Sequence, residues 1–121
     1  MNHVKRHIHL LSLIAASLLL AACNCGHTDD TFQQQRHAIE DSIAAGNGDY
    51  AMKAIAWKMA EAEDSTTYYL WLSTLNKAYY TDMKIDSMTA TLDRIGAYLD
   101  RHADRHDQAT DQLRAEWYLG K

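Results

Sequence analysis

Two apolar stripes of identical spacing, one after the other between Tyr68 and Leu99, restrict this chain to helices more tightly than any other feature. Tyr68, Leu72, Leu75 and Tyr79 fall at intervals of four, three and four, and Met88, Leu92, Ile95 and Leu99 repeat those intervals. Residues three and four apart share one face of a helix, so each stripe predicts an amphipathic helix. The connection Tyr80-Thr81-Asp82-Met83-Lys84 leaves room only for a tight turn, which predicts an antiparallel αα-hairpin. A chain of 121 residues without proline, 23% of them charged, suits one small all-α domain.

The N-terminus reads differently. Lys5 and Arg6 precede an apolar run from Leu10 to Ala22, interrupted only by Ser12 and Ser17. That run is short for a bilayer span, which needs about 18–20 apolar residues, and has the length of a secretory h-region. It ends in Leu20-Ala21-Ala22-Cys23, which resembles the bacterial lipobox: an aliphatic residue, two small ones, then the cysteine that is acylated. The resemblance implies a signal peptide over residues 1–22, with lipidated Cys23 as the first mature residue. Several acyl chains, at about 0.8 kcal/mol per buried methylene, give an effectively permanent membrane anchor. Cys25 is then the only remaining thiol, so no intramolecular disulfide forms; it is open to acylation, to a mixed disulfide with a small thiol, or to no role. Residues 23–121 carry ten basic and sixteen acidic side chains, a net charge of −6. A nucleic-acid interface needs a basic face, so a nucleic-acid partner is excluded. Electrostatic adhesion to anionic lipid is disfavoured for the same reason.

Residues 23–31 read as a flexible tether. Thr31-Phe32-Gln33-Gln34 fits a capping box opening a helix with Phe32, Ile39 and Ile43 on one side. Gly46-Asn47-Gly48 ends it, and Asp49 is the N-cap expected for a helix from Tyr50 to about Glu63, with Ala51, Ile55, Met59 and Ala62 aligned. Asp64 and Ser65 lead into the hairpin. A last helix is predicted from near Asp107, carrying Ala109, Leu113 and Trp117.

The two helix pairs superpose in sequence. Phe32, Arg36, Ile39 and Ile43 move onto Tyr68, Leu72, Leu75 and Tyr79 by a shift of 36, and Ala51, Ile55, Lys58 and Ala62 onto Met88, Leu92, Ile95 and Leu99 by 37. A helix pair recurring at this period marks an α-solenoid. Arg36 and Lys58 break the apolar pattern at places where a long stem can reach water, or where an end repeat is less demanding. Gly48-Asp49-Tyr50, the Leu72/Leu75/Tyr79 set and the Met88/Leu92/Ile95 set are similar to the turn and the two helix signatures of the tetratricopeptide-repeat family. Trp117-Tyr118-Leu119-Gly120 resembles the start of a further first helix. The departures are a period above the usual ~34 residues, no closing proline, Asn76 in place of glycine, and Met or Ile for two small residues. The resemblance covers residues 32–121 and implies antiparallel helix pairs stacked as a short tetratricopeptide-like α-solenoid. It also extends to helical repeats that follow a lipobox in bacterial sensor proteins, and more loosely to glycan-binding outer-membrane lipoproteins. About two helix pairs and one unpaired helix predict that the 121 residues are the front of a longer array.

Candidate chemistry is sparse. His102 and His106 are four apart, with Asp107 beside them, a spacing that suits a metal only within a helix; a solvated junction is expected instead, with no metal. The run Glu61, Glu63, Asp64 reads as a solvated helix end. Trp57, Tyr69, Trp71 and Tyr80 lie off the stripes; burial between neighbouring helices is the first expectation for each, since a solenoid helix is covered on more than one side, and Trp71 and Tyr80 are the candidates for a partner-binding surface. No phosphate loop, cysteine metal set or nucleophile elbow is present, so neither enzymatic activity nor a cofactor is expected. The sequence thus predicts a lipid-anchored module at the bacterial cell envelope, facing outside the cytoplasm and binding a protein or peptide. The alternative is the ligand-sensing or glycan-binding extracytoplasmic part of a longer receptor.

Overall fold

The computed structural model describes residues 28–121, which form five α-helices and no strand. They are α1 Thr28–Ala44, α2 Gly48–Glu61, α3 Ser65–Thr81, α4 Ile85–Arg101 and α5 Gln108–Gly120. The chain divides into two compact units, residues 1–35 and 36–121. Of the first, only the opening turns of α1 are described. The expected signal peptide and lipobox, with Cys23, lie outside the described residues, as does the expected tether as far as residue 27.

In the second unit α2 packs on α3, α3 on α4, and α5 on both α3 and α4. Contacts between the start of α3 and the end of α4 make that pair antiparallel: Thr66 Oγ1 lies 2.8 Å from the Tyr98 hydroxyl, and the Tyr69 and Tyr98 rings stack at 4.1 Å. This pairing is consistent with a helical repeat.

The core gathers on α3 because three other helices of the unit press on it. Thr66, Leu70, Trp71, Leu72, Ser73, Thr74, Asn76 and Ala78 are all buried, far more of the circumference than one stripe covers. Leu72 is buried as its stripe requires, whereas Tyr68, Leu75 and Tyr79 are half-buried. On α4, Ile95 and Leu99 are buried and Met88 and Leu92 half-buried; Ile39, Ile43, Ala51, Ile55 and Leu113 complete the apolar core.

The helix ends follow local chemistry. Asp64 caps α3, accepting from the Thr67 N–H at 2.8 Å, and Asp107 caps α5, accepting from the Thr110 N–H at 2.8 Å. Each satisfies a donor that a helix leaves without a backbone partner. Gly46 takes φ +86° after α1, a conformation that glycine adopts without steric cost. Met83 takes φ +57° in the turn between α3 and α4, a position where a side chain is strained.

Three boundaries differ from the sequence reading. α1 begins at Thr28, so residues 28–31 belong to a helix rather than to the tether, and Thr31 lies inside it instead of capping it; an acidic residue such as Asp30 suits a first helical turn. Asp49 is likewise within the first turn of α2, whose N-cap is Asn47. α2 stops at Glu61, two residues before Glu63.

Candidate functional site

Arg36 organises the polar interior. The apolar repeat predicts a hydrophobic residue at its position, yet Arg36 is only 3% exposed and does not reach out to water as a snorkelling side chain would. Its guanidinium forms a two-pronged pair with Glu116 of α5, Nη1 donating to Oε2 at 3.0 Å and Nη2 to Oε1 at 2.5 Å. Nε donates to Thr74 Oγ1 at 3.0 Å and Nη2 to the Leu70 carbonyl at 3.3 Å. Ser73 Oγ and Gln112 Nε2 also donate to the Glu116 carboxylate, at 2.9 and 3.1 Å. A planar fork matched to a carboxylate is the strongest ion-pair geometry available to a side chain. Burial pushes the Glu116 pKa up, but the Arg36 hydrogen bonds and charge, the Ser73 hydroxyl and the Lys77 charge outweigh it and hold the carboxyl below its ordinary value.

Two members of this network, Ser73 and Glu116, also line a groove between α3, α4 and α5. It encloses about 460 Å³ and is lined by Ser73, Lys77, Tyr80, Met88, Glu116 and Leu119, among others. Its walls divide the work: α3 presents the polar set at Ser73 and Lys77, while Met88 from α4 and Leu119 from α5 are apolar. Lys77 is tied to Glu40 at 2.7 Å, and Arg36 neutralises Glu116, so the floor is polar with its charges paired. Tyr80, 66% exposed, stands on this lining. A concave surface of this volume with apolar walls and a few fixed polar groups is the usual form of a binding site.

Trp71 requires a correction. It is 2% exposed, because α3 is covered on nearly every side, and it belongs to the core rather than to a partner surface. Tyr69 is half-buried against Tyr98, and Trp57 is exposed on α2. Of the four aromatics off the stripes, Tyr80 alone lines the groove.

The histidines are not a pair. α4 ends at Arg101, so the spacing of His102 and His106 spans a turn rather than a helical face. The His102 ring packs on Tyr98 with centroids 4.5 Å apart, and His106 Nδ1 lies 3.7 Å from Asp111. Among the described residues no three His, Cys, Asp or Glu side chains come together as a metal would require. Among them, too, no helix is long and apolar enough to cross a membrane.

A smaller cavity of about 300 Å³ lies between α4 and α5, with Asp93, Gly96, Asp100, Trp117 and Lys121 on its walls. Sequence reasoning passed over both it and the Arg36–Glu116 pair. The pair joins residues 80 apart, a separation with no local periodicity to betray it. Comparison with protein-family models, with curated proteins and with solved structures returned no match for the chain.

Proposed function

We propose that the chain is a lipid-anchored, exported helical-repeat module, tetratricopeptide-like in its stacking, that binds a protein or peptide at the bacterial cell envelope. The observation that carries the binding half of this reading is the groove between α3, α4 and α5, with exposed Tyr80 beside Met88 and Leu119 over a charge-paired floor. An aromatic with a polar tip next to flexible apolar side chains is the composition of an interaction hot spot. The anchoring half rests on Leu20-Ala21-Ala22-Cys23 behind its apolar run. The groove's volume also suits a small ligand, which keeps a sensing role as the second reading.

Each half has its own test. Cys23→Ala moves the protein out of the membrane fraction and out of the detergent phase if Cys23 carries the lipid; continued membrane association refutes the anchor. A photoreactive phenylalanine analogue at Tyr80 gives a discrete crosslinked protein adduct in cells, and the same analogue at exposed Tyr50 on α2 does not. Adducts that are identical at both positions, or absent at Tyr80, refute the groove as the protein-binding surface. A small-molecule adduct at Tyr80 selects the sensing role.

A further inference from the structure

The notch between α4 and α5 has a chemistry unlike that of the groove. One wall is the Trp117 indole, and it is fixed on two sides. Its Nε1–H donates to the Leu92 carbonyl at 2.9 Å. Its ring also lies so close to Gly96 that a Cβ there would sit 3.0 Å from Cζ2; only a glycine leaves the indole where it is. An ammonium is already seated on the ring, with Lys121 Nζ 4.2 Å from the centroid. The face of an indole carries the negative end of the ring quadrupole, so a cation at this distance is attracted to it. Asp93 and Asp100 line the same cavity, seven residues apart on α4 and therefore on one side of it. Neither carboxylate takes part in a side-chain hydrogen bond or ion pair among the described residues. With Lys121 in place the two carboxylates still leave the cavity with negative charge in excess.

We propose that this cavity is a recognition site for an ammonium group, the lysine side chain of a partner polypeptide, and that Lys121 is its internal occupant, displaced when the partner's lysine enters. That the partner is a polypeptide rests on the function proposed above; the ammonium chemistry rests on the cavity itself. The acidic balance of residues 23–121, ten basic against sixteen acidic side chains, draws a basic segment toward the surface. A preset indole wall costs the incoming cation little reorganisation.

The test uses the protein purified in detergent, with n-butylammonium as the probe and 1-butanol as its neutral counterpart. The readout is the Nε1–H signal of Trp117 in a nitrogen–proton correlation spectrum. Butylammonium shifts that signal saturably and 1-butanol does not. Lys121→Met removes the internal competitor and tightens butylammonium binding about two- to fivefold, the worth of an exposed cation–π contact. Asp93→Asn with Asp100→Asn weakens it. Equal shifts from the two probes, no shift, or unchanged or weaker binding in Lys121→Met each overturn the proposal. Should the double variant fail to fold, the Lys121→Met comparison decides alone. Crosslinking at Tyr80 reads the groove separately: a crosslinked protein there with no ammonium binding at Trp117 removes the lysine site and leaves the interaction module, and the opposite result does the reverse.

Discussion

Replacing Arg36 with methionine isolates the energetic role of the interior ion pair. The substitution keeps a long unbranched side chain in a position that is 3% exposed, while deleting both prongs to Glu116 and the bonds to Thr74 and the Leu70 carbonyl. Glu116, with a side chain 16% exposed, keeps the Ser73 and Gln112 hydrogen bonds and the weaker influence of the Lys77 charge. Removing one partner of a buried pair costs about 3–5 kcal/mol, because the other charge stays desolvated and uncompensated. The two surviving donors and the residual exposure of Glu116 place the loss near the lower end, about 3 kcal/mol. For a domain of this size, each kcal/mol moves the melting midpoint by about 4–8 °C, so Arg36→Met should melt roughly 12–24 °C below wild type. The assay is thermal and urea unfolding followed by far-ultraviolet circular dichroism. Arg36→Met combined with Glu116→Leu removes both charges and should recover most of the loss, since an apolar pair of similar volume is often as stable as the ions it replaces. A single variant that melts within a few degrees of wild type, or a double variant no better than the single, refutes the argument that an unpaired buried charge is the cost.

The remaining outcomes are of different kinds. Because the Glu116 pKa is depressed below its ordinary 4.5 in the fold, its contribution is complete above that pH and is lost as pH falls through the folded value; acid titration of the melting midpoint should show this, and Glu116→Gln should flatten the slope. Asp107, held low chiefly by the Thr110 N–H, contributes stability with the same sign. Ile95→Ala, at a position 1% exposed, should cost about 2–5 kcal/mol in urea unfolding, and half-buried Leu75→Ala distinctly less; equal costs would mean that burial does not rank these positions. Met83→Gly should raise stability by about 1 kcal/mol, since the turn holds this residue at φ +57°; a loss would show that the Met83 side chain makes up for its strain.

How far the chain could be read in advance depended on whether its signals were local. The two helices under the Tyr68–Tyr79 and Met88–Leu99 stripes, the tight turn between them, and the start of the last helix near Asp107 are matters of neighbours within one or two turns, and all appear in the structure; the caps expected at Thr31 and Asp49 do not, both residues lying inside a helix. Trp71 is buried, as the covering of a solenoid helix on several sides leads one to expect, and is no surface candidate; which off-stripe aromatic is covered depends on which helices press on α3, and its own neighbours in sequence do not say. Tyr98 lies off its stripe yet is buried, held by Thr66 and Tyr69 across the hairpin. Arg36 was misread for a related reason: nothing near it in sequence reveals the carboxylate that neutralises it. The groove surrounding Tyr80 was legible only as one aromatic off the stripes, since its other walls come from α4 and α5.

The Arg36–Glu116 bond also carries a consequence for how the polypeptide comes off the ribosome. Its two ends are 80 residues apart, and at about 5–20 residues per second that span takes roughly 4–16 s to synthesise. Throughout that interval the guanidinium has no Glu116 to meet. The Arg36 guanidinium therefore stays hydrated until Glu116 has been made, and this part of the interior closes as a long-range event rather than being laid down helix by helix.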